Sequence, residues 1–400
     1  ADQVEKNLHR LVVAVVWEAG KSRGEAKAEV QELIDMMRYY CRLYGQTNGL
    51  TIPLATEEMA GRKAKFNRAV FRPYGVFTVI SPFNFPVALC GGMSFGALLT
   101  GNAVILKPAP ETPLSAFLLR RCFINSFPDD LKYKAERVFG FVVCREEIFG
   151  KLILDNAALI DGLAFTGSTK VGYWLANQFT KRKSGPMAFV IETGGKNPCI
   201  VTPNANIDDA AAGVAKSAFG AGGQKCSACS ALVVHQSVKY RVIEAMAGIT
   251  SQLFVQGNPQ NREVSLGPLI RQEARDRYRS AISDLHETGA IVVAPKLNRI
   301  DYNENGYYAE PVIVDGLSTN HRFFQEELFV PILCVRPYQG GIEEALALAN
   351  DSDYGLTAGI FSQDESEIEF FLDNMEAGVL YANRAGGATT GAWPEYQSFA

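Results

Sequence analysis

Short apolar segments alternate with helical segments along most of the chain, and this alternation constrains the fold more than any other feature of the sequence. A strand–helix–strand rhythm of this kind produces a parallel sheet with helices on both faces. Before residue 193 the predicted strands are Val76–Ile80, Val104–Leu106, Arg137–Val143, Gly162–Phe165 and Ala188–Ile191, and the predicted helices are Phe85–Leu99, Pro113–Asn125 and Lys170–Phe179. The predicted fold class is therefore α/β.

The same rhythm restarts after Glu192, which indicates a second α/β domain. Predicted strands there are Ile200–Val201, Ala231–His235, Ile291–Val293, Val312–Val314 and Leu333–Pro337, and predicted helices are Asp208–Phe219, Val238–Leu253, Arg271–Glu287 and Ile342–Asn350. We place the boundary near Thr193. This gives a cofactor domain with N-terminal helices over 1–193, a thiol-bearing domain over 194–383 and a C-terminal segment over 384–400.

The first 75 residues precede the first predicted strand of the alternation. Helical patterns cover about 4–16 and Glu25–Tyr44, and the polar segment that follows, to about Arg72, is predicted to be a connector or a hairpin. No internal repeat or low-complexity segment interrupts the chain.

Composition excludes some classes of function. A formal net charge of -4 gives no electrostatic footprint for nucleic acid. The eight cysteines are scattered, which suits a reducing compartment better than a disulfide framework. The acidic N-terminal stretch lacks the apolar core of a signal peptide. We therefore expect a cytoplasmic location, with the mitochondrial matrix as the alternative.

The stretch from Pro73 to Leu106 carries no charged residue, as a membrane span would. Pro82, Asn84 and Pro86 interrupt it, together with several glycines and hydroxyl residues. A buried strand, a loop and a buried helix explain this composition better, so we predict no membrane span.

A glycine-rich segment, Phe219-Gly-Ala-Gly-Gly-Gln-Lys, leads directly into Cys226. Glycines allow the backbone to approach a substrate closely, and Lys225 and nearby amides favour the thiolate, the nucleophilic form of cysteine. Glu192 ends an apolar strand before a glycine pair, where a carboxylate can activate water. The alternatives are a buried structural cysteine and an exposed loop acid.

The Cys226 and Cys229 pair and the four histidines are the residues that could suggest a metal site. Cys226 and Cys229 form a Cys-x-x-Cys pair, but no second pair or histidine motif supplies other zinc ligands, and the four histidines are scattered. We predict no metal, and we interpret Cys229 as a packing residue on a helix or turn.

Taken together, the motifs resemble the aldehyde dehydrogenase superfamily. They are the two stretches around Cys226 and Glu192, with Ile80-Ser-Pro-Phe-Asn-Phe-Pro86, Lys107-Pro-Ala-Pro, Phe165-Thr-Gly-Ser168 and Gln325-Glu-Glu-Leu-Phe-Val-Pro331, in the family's order and spacing. The resemblance implies a Rossmann-type cofactor domain plus a catalytic α/β domain. It also implies oxidation of an aldehyde to an acid through a thiohemiacetal and a thioester on the cysteine.

The resemblance assigns roles to residues. Cys226 would be the nucleophile, Glu192 the general base, and Asn84, whose other interpretation is a helix cap, would form an oxyanion hole with the Cys226 amide. No Gly-x-Gly-x-x-Gly occurs, so the cofactor site rests on the resemblance and on the glycine-flanked turn that opens a helix. Its residues are Ser81, Pro82, Phe83, Lys107, Thr166, Gly167, Ser168, Glu327 and Phe329.

Three positions depart from the family pattern. The resemblance implies NAD as the cofactor. Pro110 stands where many NAD-preferring relatives have a glutamate that holds the ribose hydroxyls, so NADP is the alternative. Val330 replaces a glycine, which is expected to shift the Phe329 backbone. Thr193 replaces a leucine and is expected to alter packing.

Within the superfamily, Gln224-Lys-Cys-Ser-Ala-Cys-Ser230 and Thr389-Thr-Gly-Ala392 resemble the branch that oxidises glutamate semialdehyde, in equilibrium with pyrroline-5-carboxylate, to glutamate in proline catabolism. Ser227, Gly391 and Ala392 would bind the α-amino acid end of that substrate, although such a short match also fits a surface loop. Alternatives are another semialdehyde, an aromatic aldehyde, a CoA-acylating reaction, or a non-catalytic binding protein of the same fold.

The resemblance also concerns partners and length. Relatives extend beyond both ends of this chain, so we expect a piece of a longer protein. We expect that longer protein to form a homo-oligomer, and to be free-standing or fused to a proline dehydrogenase domain.

Overall fold

The computed structural model describes residues 1–55, 67–182, 185 and 187–384. These residues divide into two compact units. The first comprises Ala1–Leu11 and Val30–Glu192, and the second comprises Val12–Glu29 and the residues from 193 to 384. The main division thus falls between Glu192 and Thr193, and an N-terminal segment, residues 12–29, belongs to the later unit.

The described residues form thirteen α-helices. They are α1 (Asp2–Lys6), α2 (Leu8–Ala19), α3 (Arg23–Gln46), α4 (Ala88–Leu99), α5 (Pro113–Ile124), α6 (Lys132–Val138), α7 (Glu146–Asp155), α8 (Thr169–Arg182), α9 (Ile207–Phe219), α10 (Lys239–Leu253), α11 (Gln272–Glu287), α12 (Ile342–Ala349) and α13 (Glu365–Asn374).

Sixteen β-strands lie in the same described ranges. They are β1 (Thr51–Pro53), β2 (Arg68–Val70), β3 (Val76–Ile80), β4 (Ala103–Lys107), β5 (Phe139–Phe141), β6 (Gly162–Thr166), β7 (Ala188–Glu192), β8 (Asn197–Val201), β9 (Cys229–His235), β10 (Val255–Gly257), β11 (Ile291–Val293), β12 (Asn298–Ile300), β13 (Val312–Asp315), β14 (Ile332–Tyr338), β15 (Thr357–Phe361) and β16 (Val379–Ala382).

The first unit contains a five-stranded sheet in the order β5-β4-β3-β6-β7, and every pair in it is parallel. The strand β6, which lies between β3 and β7, is buried at all five positions, as expected for a strand of a parallel sheet that is covered on both faces. Packed beside the sheet is a cluster that includes Phe149, Leu163 and Phe179. At the β7 edge, Phe189 and Val190 are 38% and 50% exposed, so this strand presents apolar side chains to solvent.

The second unit contains a seven-stranded sheet in the order β11-β13-β14-β9-β8-β15-β16. Its strand pairs are parallel except β11 with β13, which is antiparallel. The helix α9 is apolar along its sheet-facing side and joins the core that contains Phe219, Leu232 and Phe361. Two further two-stranded sheets are separate from these: β1 and β2 pair in antiparallel fashion in the first unit, and β10 and β12 pair in parallel fashion in the second.

Most predicted elements are confirmed within a few residues, and the α/β class with parallel sheets is confirmed. One strand was wrongly placed: Arg137 and Val138 end the helix α6, and the strand is confined to Phe139–Phe141. The helix predicted from Phe85 begins at Ala88. The polar segment before Arg72 contains the hairpin β1–β2, one of its two predicted forms.

Elements near the end of the second unit were not predicted. They are β15, α13 and β16, and in the first unit the helix α7 was also missed.

The uncharged stretch from Pro73 folds as the strand β3, a loop and the helix α4, as expected from its composition, and continues into the strand β4. Among the residues that the structure describes, no helix combines the length and the apolarity needed to cross a bilayer.

Candidate active site

The carboxyl ends of the parallel strands in the first unit place several predicted site residues along one sheet edge. Lys107 ends β4, Thr166 ends β6 and Glu192 ends β7, while Ser81 follows β3 directly. The Ser81 amide donates to the Lys107 carbonyl at 3.1 Å, and the Gly167 amide donates to the Glu192 carbonyl at 3.1 Å. In open α/β sheets this edge is where ligands bind.

Burial changes the proton affinity of the two charged groups at this edge. Lys107 is 2% exposed. Its pKa is lowered by burial, and nearby acidic groups, Glu146 the foremost, oppose that shift. Glu192 is half-buried, and burial raises the pKa of its carboxyl group. A glutamate with a raised pKa is a stronger base once ionised, which suits activation of water.

Two buried hydroxyls at this edge have no hydrogen-bond partner among the described residues. They are Ser81 Oγ, after β3, and Thr169 Oγ1, in the first turn of α8. Gly167 lies before that turn, where an added Cβ would be 2.6 Å from the Phe165 ring. Orphan hydroxyls beside the free amides of a helix N-terminus fit a phosphate-bearing ligand such as a dinucleotide.

Asn84 is buried, at 6% exposure, in the turn between β3 and α4. The cap position of α4 is Val87, three residues later. Pro82 and Phe83 lie in the same turn and are half-buried.

In the second unit, the helix α9 leads into the segment that carries the predicted nucleophile. Asn206 caps the start of α9 by accepting hydrogen bonds from the amides of Asp208 and Asp209, and the helix ends at Phe219. Residues 220–226, which we call the thiol loop, follow immediately. Cys226 at its end is half-buried.

The thiol loop has an unusual backbone. Ala221, Gly222 and Gly223 have φ angles of 52°, 65° and 70°, three consecutive left-handed residues. A Cβ on Gly223 would lie 2.6 Å from the Val330 carbonyl group, so only glycine permits this approach. The sequence predicted a close backbone approach to a substrate at these glycines, whereas this close approach is to the chain itself.

Asn197 and Gly195 fix the backbone at Cys226, the predicted nucleophile. The Asn197 side-chain amide donates to the carbonyls of Cys226 at 2.7 Å and Ala228 at 2.9 Å, and its oxygen accepts from the Thr357 amide at 3.1 Å. An added Cβ on Gly195 would lie 2.5 Å from the Cys226 carbonyl oxygen. Gly195 thus makes room for the chain that carries the thiol, whereas a Cβ on Gly194 would meet the Glu327 carboxylate.

Glu327 and Phe329, predicted to bind cofactor, lie in the same unit. Glu327 Oε1 accepts a hydrogen bond from the Gly195 amide at 3.0 Å. Burial raises the pKa of Glu327, while that hydrogen bond and the cations Lys196 and Arg277 oppose the shift. Phe329 has a φ of 57°, a left-handed backbone in a residue other than glycine.

The remaining predictions on this segment concern Ser227 and Cys229. Ser227 is 1% exposed. Cys229 is buried and begins the strand β9, so its assignment to a helix or turn was wrong, although it is a packing residue. Within the described ranges no group of three acidic, histidine or cysteine residues could hold a metal. Gly391 and Ala392 lie outside the described residues.

Comparison with known proteins identifies the family. The sequence profile of the aldehyde dehydrogenase family matches residues 1–396. The chain belongs to this family. A Bacillus mycoides aldehyde dehydrogenase relative, named 1-pyrroline-5-carboxylate dehydrogenase, is 33% identical over 402 residues, which cover 99% of this chain and 73% of the relative.

Solved structures with this aldehyde dehydrogenase fold agree over the whole chain. Proline utilization A from Bdellovibrio bacteriovorus matches with a TM-score of 0.87 and 30% identity, over 100% of this chain and 39% of that one. A 1-pyrroline-5-carboxylate dehydrogenase from Thermus with bound NAD matches with a TM-score of 0.86 and 30% identity, over 100% and 74% of the two chains.

Sequence reasoning missed two side chains that hold the thiol loop of this aldehyde dehydrogenase, Asn197 and Glu25. Asn197 starts an apolar strand, and an amide that is 2% exposed needs partners, which was a usable signal. Glu25 accepts a hydrogen bond from the Ala221 amide, 196 residues away in sequence. No local pattern indicates a contact over that separation.

Proposed function

We propose that this aldehyde dehydrogenase oxidises L-glutamate 5-semialdehyde, in equilibrium with pyrroline-5-carboxylate, to glutamate. The observation that carries the proposal is the half-buried Cys226 at the end of a loop whose carbonyl is fixed by Asn197 at 2.7 Å. A thiol held in this way suits attack on a carbonyl carbon. The names of the relatives from Bacillus mycoides and Thermus support the choice of substrate.

In the proposed reaction the Cys226 thiolate adds to the aldehyde carbon and forms a thiohemiacetal. The Asn84 side-chain amide and the Cys226 backbone amide donate hydrogen bonds to the developing oxyanion. Loss of hydride from the same carbon leaves a thioester on Cys226. Glu192, ionised, then takes a proton from water, which attacks the thioester, releases the acid and restores the thiol.

NAD, when bound, supplies the hydride acceptor. Ser81, Lys107 and the turn from Thr166 to Ser168 would hold it at the carboxyl edge of the five-stranded sheet, where Ser81 Oγ lacks a partner among the described residues. Glu327 and Phe329 would contact the nicotinamide half. The matching Thermus structure was solved with bound NAD, which supports NAD over the alternative NADP.

The substrate's amino acid end would bind Ser227 and, further along the chain, Gly391 and Ala392. Ser227 follows the thiol directly and is buried, as a residue that lines an enclosed substrate site would be. Backbone amides of a glycine-containing turn can bind a carboxylate without a cation.

The test is NADH formation by the full chain with pyrroline-5-carboxylate, compared with succinate semialdehyde and benzaldehyde. Selective turnover of the first substrate, lost in Cys226→Ala, is the expected result. NADH should still bind the mutant and quench its protein fluorescence, because the cofactor residues are intact. Turnover of all three aldehydes at equal kcat/KM would contradict the proposed substrate, and turnover by Cys226→Ala would contradict the nucleophile.

We also propose that the protein forms a homo-oligomer through the first unit. Exposed apolar side chains there lie on α7, α8 and β7, and α7 and α8 touch, since a Cβ on Gly150 would lie 3.4 Å from the Trp174 ring. These side chains are Ile148, Leu152, Tyr173, Trp174, Phe189 and Val190. Clusters of this kind mark association surfaces. Light scattering that gives the mass of one chain at micromolar concentration would contradict the proposal.

A cytoplasmic location and a link to proline oxidation are proposed on further grounds. All eight cysteines are free thiols, which suits a reducing compartment. The match to a bifunctional proline utilization A protein over 39% of its length supports fusion to, or association with, a proline dehydrogenase. Co-purification with that enzyme activity would test the association.

A further inference from the structure

The thiol loop is held by a side chain from the N-terminal segment. Glu25, in the first turn of α3, accepts a hydrogen bond from the Ala221 amide through Oε1 at 2.7 Å. Its other oxygen accepts from the Ser22 hydroxyl at 3.0 Å and the Ser22 amide at 3.3 Å. One carboxylate oxygen is therefore fixed by Ser22 within the N-terminal segment, and the other binds the thiol loop.

Ala221 is the residue of the loop that most needs such support. It has a left-handed backbone with φ of 52° and carries a Cβ, a combination that is disfavoured by roughly 1–2 kcal/mol. Side chains bind its backbone from both sides: Glu25 accepts from the amide, and the Gln224 side chain donates to the carbonyl at 3.1 Å. Gln224 is in turn fixed by the Ile270 amide at 3.0 Å.

Glu25 also faces the cation beside the nucleophile. Lys225 is 6% exposed, and a Cβ placed on Gly220 would lie 3.2 Å from Lys225 Nζ and 3.5 Å from Glu25 Oε1. The ammonium and the carboxylate therefore both lie close to Gly220, where a side chain larger than hydrogen would meet them. Burial lowers the pKa of Lys225, and the Glu25 carboxylate opposes that shift.

We propose that Glu25 is a positioning residue for catalysis, which holds the left-handed Ala221 turn so that the thiol loop presents Cys226 in its reactive position. The proposal rests on the proposed role of Cys226 as nucleophile. It assigns Glu25 no contact with substrate or cofactor. Its effect passes along five residues of backbone to the thiol.

The test compares Glu25→Ala, Glu25→Gln and the control Asp35→Ala in the full chain. Glutamine keeps an oxygen that can accept from the Ala221 amide, whereas alanine does not. Asp35 is an acid of the same helix that accepts a hydrogen bond from Gln31 within that helix at 3.0 Å, so its loss should leave the loop unchanged. Alkylation of each cysteine by iodoacetamide is followed by mass spectrometry, with exposed Cys41 as the internal reference.

In Glu25→Ala the rate of Cys226 alkylation relative to Cys41 should change, and kcat should fall by about tenfold or more, the scale of a sub-ångström displacement at a reacting atom. KM for NAD should stay within twofold. Glu25→Gln should restore most of kcat, and Asp35→Ala should resemble the parent in every measurement.

Alkylation needs neither NAD nor aldehyde, so it separates this proposal from the proposed function. If Glu25→Ala alkylates Cys226 at the parent rate and retains the parent kcat, the positioning role is wrong. Failure of Glu25→Gln to recover any kcat, with its melting temperature unchanged, would also overturn it. A parent chain whose Cys226 alkylates but that oxidises no aldehyde would instead count against the proposed function.

Discussion

At the scale of single residues, burial sets the protonation of the groups that the proposed reaction uses. It raises the pKa of Glu192 and of Glu327 and lowers the pKa of Lys107. For Glu192 the cause is burial, which disfavours the ionised form of the carboxyl group. The carboxylate is consequently a better proton acceptor than an exposed one.

The pH dependence of turnover follows from this shift. As pH falls through the raised pKa of Glu192, the base becomes protonated and thioester hydrolysis slows. The acid limb of kcat should therefore lie above the value of an exposed glutamate, about 4.3. The measurement is a pH profile of kcat under conditions in which hydrolysis limits turnover.

Glu192→Gln should remove that limb. The variant should release about one NADH per Cys226 in a burst and then turn over some 10²–10⁴-fold more slowly, the usual contribution of a general base. Its burst should depend on Cys226, as shown by its absence from the double variant with Cys226→Ala. Steady turnover at the parent rate would exclude Glu192 as the base.

At the scale of elements, the thiol loop shows how two segments distant in sequence determine each other's shape. Gly223 meets the backbone of Val330, and the φ of 57° at Phe329 lies next to that contact. The departure from the family pattern at Val330 was expected to affect Phe329. In the structure, the close contact of Gly223 with Val330 is adjacent to the left-handed backbone of Phe329.

Gly223→Ala should destabilise the second unit. Its φ of 70° is strained for alanine, and the new methyl would lie 2.6 Å from a carbonyl group. We expect a loss of about 1–3 kcal/mol in unfolding free energy from the backbone strain, before the clash is added. Urea denaturation measures it.

Gly248→Ala is the matched control for that variant. Gly248 lies inside the helix α10, and an added Cβ there meets no atom within 4 Å. Alanine should stabilise the helix by about 0.5–1 kcal/mol. If both substitutions destabilise the protein equally, the close contact at Gly223 does not determine the shape of the loop.

At the scale of the whole molecule, sequence periodicity predicted the order of elements because local patterns set it. Val76–Ile80 and Ile291–Val293 were predicted residue for residue. Periodicity failed at Arg137 and Val138, where one helical turn runs directly into a strand. It could not predict the pairing of Asn197 with Cys226 or of Glu25 with Ala221, since these contacts depend on how the chain folds back.

The catalytic candidates were easier to predict than the residues that support them. Cys226 and Glu192 occur in motifs that are visible in one window of sequence, whereas Asn197 and Glu25 act on backbone atoms. Every residue has a backbone carbonyl, and almost every residue has a backbone amide, so the sequence does not indicate which side chain binds them. The structure identifies that side chain.

NAD should raise the melting temperature of the protein. A ligand at 100 times its Kd adds about 2.7 kcal/mol to the stability of the state that binds it. Lys107→Met, which keeps the buried chain but removes the ammonium, should weaken NAD binding and reduce that increase. Lys132→Met, at an exposed lysine of the same unit, should leave NAD binding and the increase in melting temperature unchanged. Thermal scans with and without NAD distinguish these, and an equal increase in both variants would remove Lys107 from the cofactor site.

The assignment of residues 12–29 to the second unit has a consequence for synthesis on the ribosome. Glu25 leaves the exit tunnel long before Ala221, 196 residues later. At about 5–20 residues per second that interval is roughly 10–40 s. During it the buried ion pair of Lys21 and Glu29 must remain hydrated or bound to a chaperone, because the rest of its unit does not yet exist. Residues 12–29 of the nascent chain thus remain without their folding partners until the thiol loop emerges.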